Sequence, residues 1–156
     1  VLEPSAGSAH IIQAFPRLQW AAVELDPAHK LKLIEQPNIV GLYYNMDYLG
    51  WKPPHHYDCC VMNPPYNLSL EFVRKARSES DYIWAFLKLS WLESESRHEF
   101  LTQHRPADIF VIPQRVSSTG NGKSDNAPRA WFRWTTEQSR HTRLHLLPLV
   151  PKEIRR

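Results

Sequence analysis

The chain has 156 residues, 42% of them hydrophobic and 22% charged, which is enough to bury a core and ordinary for a single globular domain spanning 1–156. No apolar run reaches the roughly 20 residues of a membrane-spanning helix and no signal peptide is legible, so a membrane protein is excluded and a cytoplasmic one expected. The net charge of +3 is uneven: residues 1–104 carry 9 Lys+Arg against 12 Asp+Glu, and residues 105–156 carry 10 against 4, a basic third that calls for a polyanionic partner unless it is only a solvated surface.

Val1 opens the chain inside a strand, so an N-terminal part of the domain is expected to be missing. Glu3-Pro4-Ser5-Ala6-Gly7-Ser8-Ala9 then forms a tight turn of small residues, which lets a ligand approach the backbone closely. A short helix from Ser8 to Phe15 is closed by Pro16. Leu18 to Leu25 is a second strand. Asp26 as N-cap and Pro27 at the first helical position open a helix to about Gln36. Glu24 is thereby left at the strand's end, where an acidic residue accepts a ribose diol in dinucleotide folds. Its apolar neighbours Val23 and Leu25 fit a surface carboxylate poorly. Asn38 to Tyr44 is a third strand, followed by the loop Asn45-Met46-Asp47-Tyr48-Leu49.

The apolar run Tyr57-Asp58-Cys59-Cys60-Val61-Met62 is a fourth, buried strand. It delivers Asn63-Pro64-Pro65-Tyr66, where two prolines hold the backbone extended and remove two amide donors. What leaves the sheet is a stiff arm bearing an amide, a free carbonyl and an aromatic ring; the plain alternative is a rigid corner. Cys59 and Cys60 point to opposite faces of their strand, so no disulfide joins them, and no metal-ligand spacing exists among the cysteines or the eight histidines. Ser69 caps a helix running to about Ser78. Asp81 to Leu89 is strand, Trp91 to His104 helix and Ala107 to Ile112 strand. This alternation predicts an α/β fold, a Rossmann-like, doubly wound and mostly parallel sheet. Ligands bind such sheets at the carboxyl ends of the strands. Residues 113–128 turn rich in Ser, Gly, Asn and Lys and read as one long substrate loop. Within it Gly120-Asn121-Gly122-Lys123-Ser124 lacks the spacing of a phosphate loop. Arg129 to Thr135 is a last strand, with Phe132 and Trp134 on one face and Trp131 and Arg133 on the other. Arg140, Arg143, Arg155 and Arg156 extend the basic tail.

The turn Glu3-Pro4-Ser5-Ala6-Gly7 and the tetrapeptide Asn63-Pro64-Pro65-Tyr66 resemble the cofactor loop and catalytic loop of the S-adenosylmethionine (SAM)-dependent N6-adenine DNA methyltransferases, in small phage-like form. The resemblance runs from Val1 to about Trp134, with Ala9 where the second glycine of the loop would stand. It implies SAM as cofactor, S-adenosylhomocysteine as product, and no metal. It assigns cofactor contacts to Glu3, Pro4, Ser5, Ala6, Gly7, Glu24, Leu25, Asp47, Tyr48 and Asn63, with Asp47 accepting from the cofactor's adenine amino group. Catalysis falls to Asn63, Pro64, Pro65 and Tyr66, and substrate contacts to Tyr66, Asn67, Lys123 and Trp134. The implied partner is DNA, or RNA, with a separate specificity subunit or a homodimer in place of a recognition domain, inside a bacterial or phage-infected cell.

The chemistry of the arm fits that assignment. An adenine amine is a poor nucleophile because its lone pair is delocalised into the ring. Acceptors on its two hydrogens favour a pyramidal nitrogen and stabilise the positive charge that grows as it attacks a methyl group. Reaching the amine in a duplex requires base flipping, offset in part by stacking on an aromatic ring. The same tetrapeptide serves enzymes acting on RNA adenine N6 and on glutamine N5 of proteins; cytosine N4 is a lesser option, and a SAM-fold module that binds without catalysis is the non-enzymatic alternative.

Overall fold

The computed structural model describes residues 1–114, 127–138 and 140–151. It divides into two compact units, Val1–Ala85 and Phe86–Arg156. The strand order is β3-β2-β1-β4-β5-β7-β6-β8, numbered along the chain.

In the first unit the strands are β1 (Leu2–Glu3), β2 (Trp20–Glu24), β3 (Ile39–Tyr44), β4 (Tyr57–Met62) and β5 (Ser80–Lys88). The pairings β3–β2, β2–β1, β1–β4 and β4–β5 are all parallel. Every residue of β2 is buried, as a central parallel strand covered on both faces requires. Trp20 and Ala22 pack there with Ala6, Ala9, Ile12 and Leu33. The chain winds from β1 outward through α1 (His10–Ala14) and α2 (Lys30–Ile34) to β3, then returns to the other side of β1 to lay down β4, α3 (Ser69–Glu79) and β5. The winding therefore reverses between β1 and β4, which fixes where a ligand crevice opens.

Several boundaries moved for local reasons. Asp26 does cap, accepting from Ala28 N at 2.9 Å, but the turn it starts (Pro27–His29) is 3₁₀ before α2 begins. Ser69 is the first residue of α3 and not its cap; its hydroxyl donates to the Tyr66 carbonyl at 2.9 Å, closing a 3₁₀ turn over Tyr66–Leu68. Asn38 Nδ2 faces the carbonyls of Ile12, Phe15 and Leu18 at 3.3–3.5 Å, where α1 ends. The return from β3 to β4 contains no helix. It is anchored by aromatic contacts, Tyr43 on Trp51 at 4.8 Å and Tyr48 on Phe72 at 5.0 Å, and by the Tyr48 hydroxyl, which donates to Glu79 at 2.8 Å. Cys59 and Cys60 are free thiols; burial pushes Cys59 up to about 11.

The second unit takes the end of β5, a 3₁₀ turn (Leu89–Leu92), α4 (Glu95–Gln103), β6 (Asp108–Ile112), β7 (Arg129–Thr135) and β8 (Arg143–Leu146). The sheet pairing is antiparallel for β6–β7 and parallel for β6–β8. Its core is aromatic: Trp91 meets Phe100, Phe132 and Trp134 edge-on at 5.8–6.2 Å. The two pairs lie on opposite faces as the alternation predicted: Phe132 and Trp134 are buried, while Trp131 packs on Phe86 at 5.1 Å and Arg133 reaches Asp108. Nothing in the sequence pattern announced β8, which hangs on Asp108 through Arg143 and His145. Among the described residues no helix is long and apolar enough to cross a membrane.

Candidate active site

Four strand ends of the first unit converge on the reversal point. β1 delivers Glu3 and the loop Pro4-Ser5-Ala6-Gly7; β2 delivers Glu24 and Leu25; β3 is followed by Asp47; β4 delivers Asn63. The loop is built for close approach. Gly7 (φ 51°) and Ala9 (φ 64°) both take the left-handed conformation, so the backbone at Ala9 keeps the glycine geometry although its side chain is a methyl. The Ala9 methyl is fully buried in the core, which offsets part of that strain.

Glu24 organises the loop. Its Oε2 accepts from Gly7 N at 2.6 Å and its Oε1 from Asp26 N at 2.7 Å. Each carboxylate oxygen keeps a second lone pair, so a diol can still be received there. Beside it Leu25 is 61% exposed and Met46 half-exposed, an apolar rim at an otherwise polar strand end. Glu3 lies behind, 2% exposed, with Oε2 lacking any hydrogen bond. Burial, and then the Glu24 charge, push its carboxyl up to about 9. Ser8 Oγ meets His29 Nδ1 at 3.2 Å and Lys32 Nζ at 3.3 Å, a polar set the sequence did not announce because its members come from α1's approach, from the 3₁₀ turn after Asp26 and from α2.

The arm after β4 is presented as its prolines demand. Asn63 is exposed, Pro64 buried, and Pro65, Tyr66 and Asn67 exposed, with Tyr66 at 43%. Neither the Asn63 side-chain amide nor the Pro64 carbonyl has a hydrogen-bond partner among the described residues. The Asn63 carbonyl is used: Ser5 Oγ donates to it at 3.2 Å. That bond ties the β1 loop directly to the β4 loop, a link that spacing along the chain cannot reveal.

The remaining expected positions differ in their exposure. Asp47 is exposed, with Oδ1 accepting from Leu49 N at 3.0 Å and Oδ2 open. Tyr48, expected at the cofactor, is 2% exposed with its hydroxyl held by Glu79, so its side chain serves the core. Trp134, expected at the substrate, is 1% exposed; its indole donates to the His104 carbonyl at 3.0 Å inside the aromatic core and offers no face to a base. Lys123 and most of the 113–128 loop lie outside the described residues. Among the described residues no three His, Cys, Asp or Glu side chains gather as a metal-ligand set.

Solved structures share this backbone. A protein from Listeria monocytogenes described as a class I S-adenosylmethionine-dependent methyltransferase superposes with a TM-score of 0.71 over 94% of the chain, at 11% identity. The fold is that of the class I methyltransferases. The 23S rRNA methyltransferase ErmE (TM-score 0.60, 16% identity) and a dimethyladenosine transferase from Plasmodium falciparum (0.59, 14%) each match 86% of the chain. The chain spans 57%, 59% and 54% of these three structures' own lengths. No protein-family model and no curated protein matches it. At such identities the methyltransferase fold is shared and the substrate is each protein's own.

Proposed function

We propose that this chain transfers a methyl group from SAM to the exocyclic N6 of adenine in DNA. The observation that carries the reading is the pair of open acceptors at the end of β4, the Asn63 side-chain oxygen and the Pro64 carbonyl, on an arm whose two prolines supply no competing donor. When bound, SAM supplies the electrophilic methyl. The loop from Glu3 to Gly7, with Glu24, Leu25 and Asp47, would hold it.

The residues of the arm do the rest. Asn63 Oδ1 and the Pro64 carbonyl accept the two amino hydrogens and draw the nitrogen lone pair out of the ring system. They also stabilise the positive charge developing there, at roughly 3–4 kcal/mol per well-placed group. Tyr66 stacks on the base, returning about 1–3 kcal/mol toward flipping it. No general base is required on the arm. A second reading, adenine N6 in RNA, is favoured by the two RNA- and adenosine-directed names among the similar structures.

Replacing Asn63 by Ala lowers the rate of transfer about 10²–10³-fold while SAM affinity by calorimetry stays within about threefold. Labelled-methyl assays with DNA, RNA and release-factor-type protein substrates separate the readings. Undiminished transfer by Asn63→Ala would refute the role given to the arm, and label on protein alone would refute the nucleic-acid substrate.

A further inference from the structure

The second unit holds a polar cavity of about 370 Å³ lined by Thr102, Arg105, Gln138 and Arg140. It lies where α4 ends and where the chain leaves β7. A helix carboxyl end ordinarily repels anions, but here two carbonyls at that end are taken: Gln138 Nε2 donates to Gln103 O at 2.5 Å and Trp134 Nε1 to His104 O at 3.0 Å. Thr102 Oγ1 gives its hydrogen to His98 O at 2.8 Å, so the cationic donors lining the cavity are the two guanidinium groups. Arg105 spends one Nη1 hydrogen on the Arg140 carbonyl at 3.3 Å, which holds the two residues side by side. Among the described residues no carboxylate lines the space and neither guanidinium has an ion pair. The contrast lies two strands' width of sequence away: Arg133 and Arg143 are both committed to Asp108. Two uncompensated, forked cations are suited to a tetrahedral oxyanion, which guanidinium grips through paired N–H groups.

We infer that the Arg105–Arg140 cavity binds a backbone phosphate of the nucleic-acid substrate. The inference rests on the nucleic-acid reading above and deepens it, giving the basic third of the chain (net +6 over 105–156) a specific contact. Phosphate contacts position a strand without reading its sequence.

The test is fluorescence anisotropy of the whole chain with a labelled 20-base-pair duplex and with a labelled single-stranded RNA, across a salt series. Neutralising both cations in the double variant Arg105→Gln/Arg140→Gln weakens binding about tenfold or more at moderate salt. It also makes the slope of log affinity against log salt shallower by about 1.8 on the duplex and about 1.4 on the single strand. The corresponding double Lys variant restores most of the slope, because charge and not fork geometry sets counterion release. Melting temperature and SAM affinity stay at wild-type values in both. Unchanged slope and affinity in the Gln variant, while the wild type binds and methylates nucleic acid, would overturn the cavity's role and leave the proposed reaction standing. A wild type that binds neither probe removes both. Saturable binding of inorganic phosphate alone at micromolar concentration would assign the cavity to a free anion and equally overturn the inference.

Discussion

Among the described carboxylates, Glu3 departs furthest from its ordinary behaviour. Held up to about 9 by burial and by Glu24, it keeps its proton in the folded chain, whereas unfolded it ionises near 4.5. Between those values the unfolded state binds fewer protons than the folded one, so this carboxyl erodes stability as pH rises. Its most favourable contribution is complete below about pH 4.5 and declines by up to about 1.4 kcal/mol per pH unit toward 9. Urea unfolding at pH 5, 6.5 and 8 should show a steeper decline for wild type than for Glu3→Gln. Parallel profiles would mean the carboxyl is already ionised at neutral pH. The acidic residue of the turn was legible in the sequence; its lone, unsatisfied oxygen was not, because burial is a property of the strands around it.

At the scale of elements, β8 and Trp134 show where pattern reading fails. In Arg143-Leu144-His145-Leu146 the leucines face water, 64% and 78% exposed, while the polar pair turns toward Asp108. A strand whose apolar face is its outer one gives no period-2 signal of burial. Asp108 joins three strands: Arg133 on β7 and Arg143 and His145 on β8 all hydrogen-bond to it. Burial alone would raise its carboxyl, but Arg143, His145 and Arg133 outweigh that and hold it well below the usual carboxylate range. Its stabilisation is present above about pH 4 and is lost only in strong acid. Asp108→Asn should cost about 3–5 kcal/mol in chemical denaturation, since it leaves partly buried cations unpaired. A loss under about 1 kcal/mol would show that β8 is held by backbone pairing alone. Trp134 misled for the opposite reason: an aromatic on an alternating strand reads the same whether its face meets a base or a core.

For the whole molecule, the cofactor reading predicts linkage between ligand and stability. S-adenosylhomocysteine at about 100 times its Kd should stabilise the fold by about 2.7 kcal/mol, raising the melting temperature by about 5–10 °C for a chain of this size. Differential scanning calorimetry with increasing ligand measures it, and a melting temperature indifferent to ligand would remove the cofactor assignment. By itself the sequence determined the alternation of strands and helices, the glycine-type loop after β1 and the acceptor arm after β4, because these rest on local matters: apolar period, proline's missing N–H and the conformational freedom of small residues. The tertiary structure alone decided which of the named residues meet. It joined Ser5 to Asn63 and Glu24 to Gly7, withdrew Tyr48 and Trp134 into the core, and placed Arg105 beside Arg140. Hydrogen bonds spanning 17 to 58 residues are set by strand order, and strand order is written nowhere in the spacing of the chain.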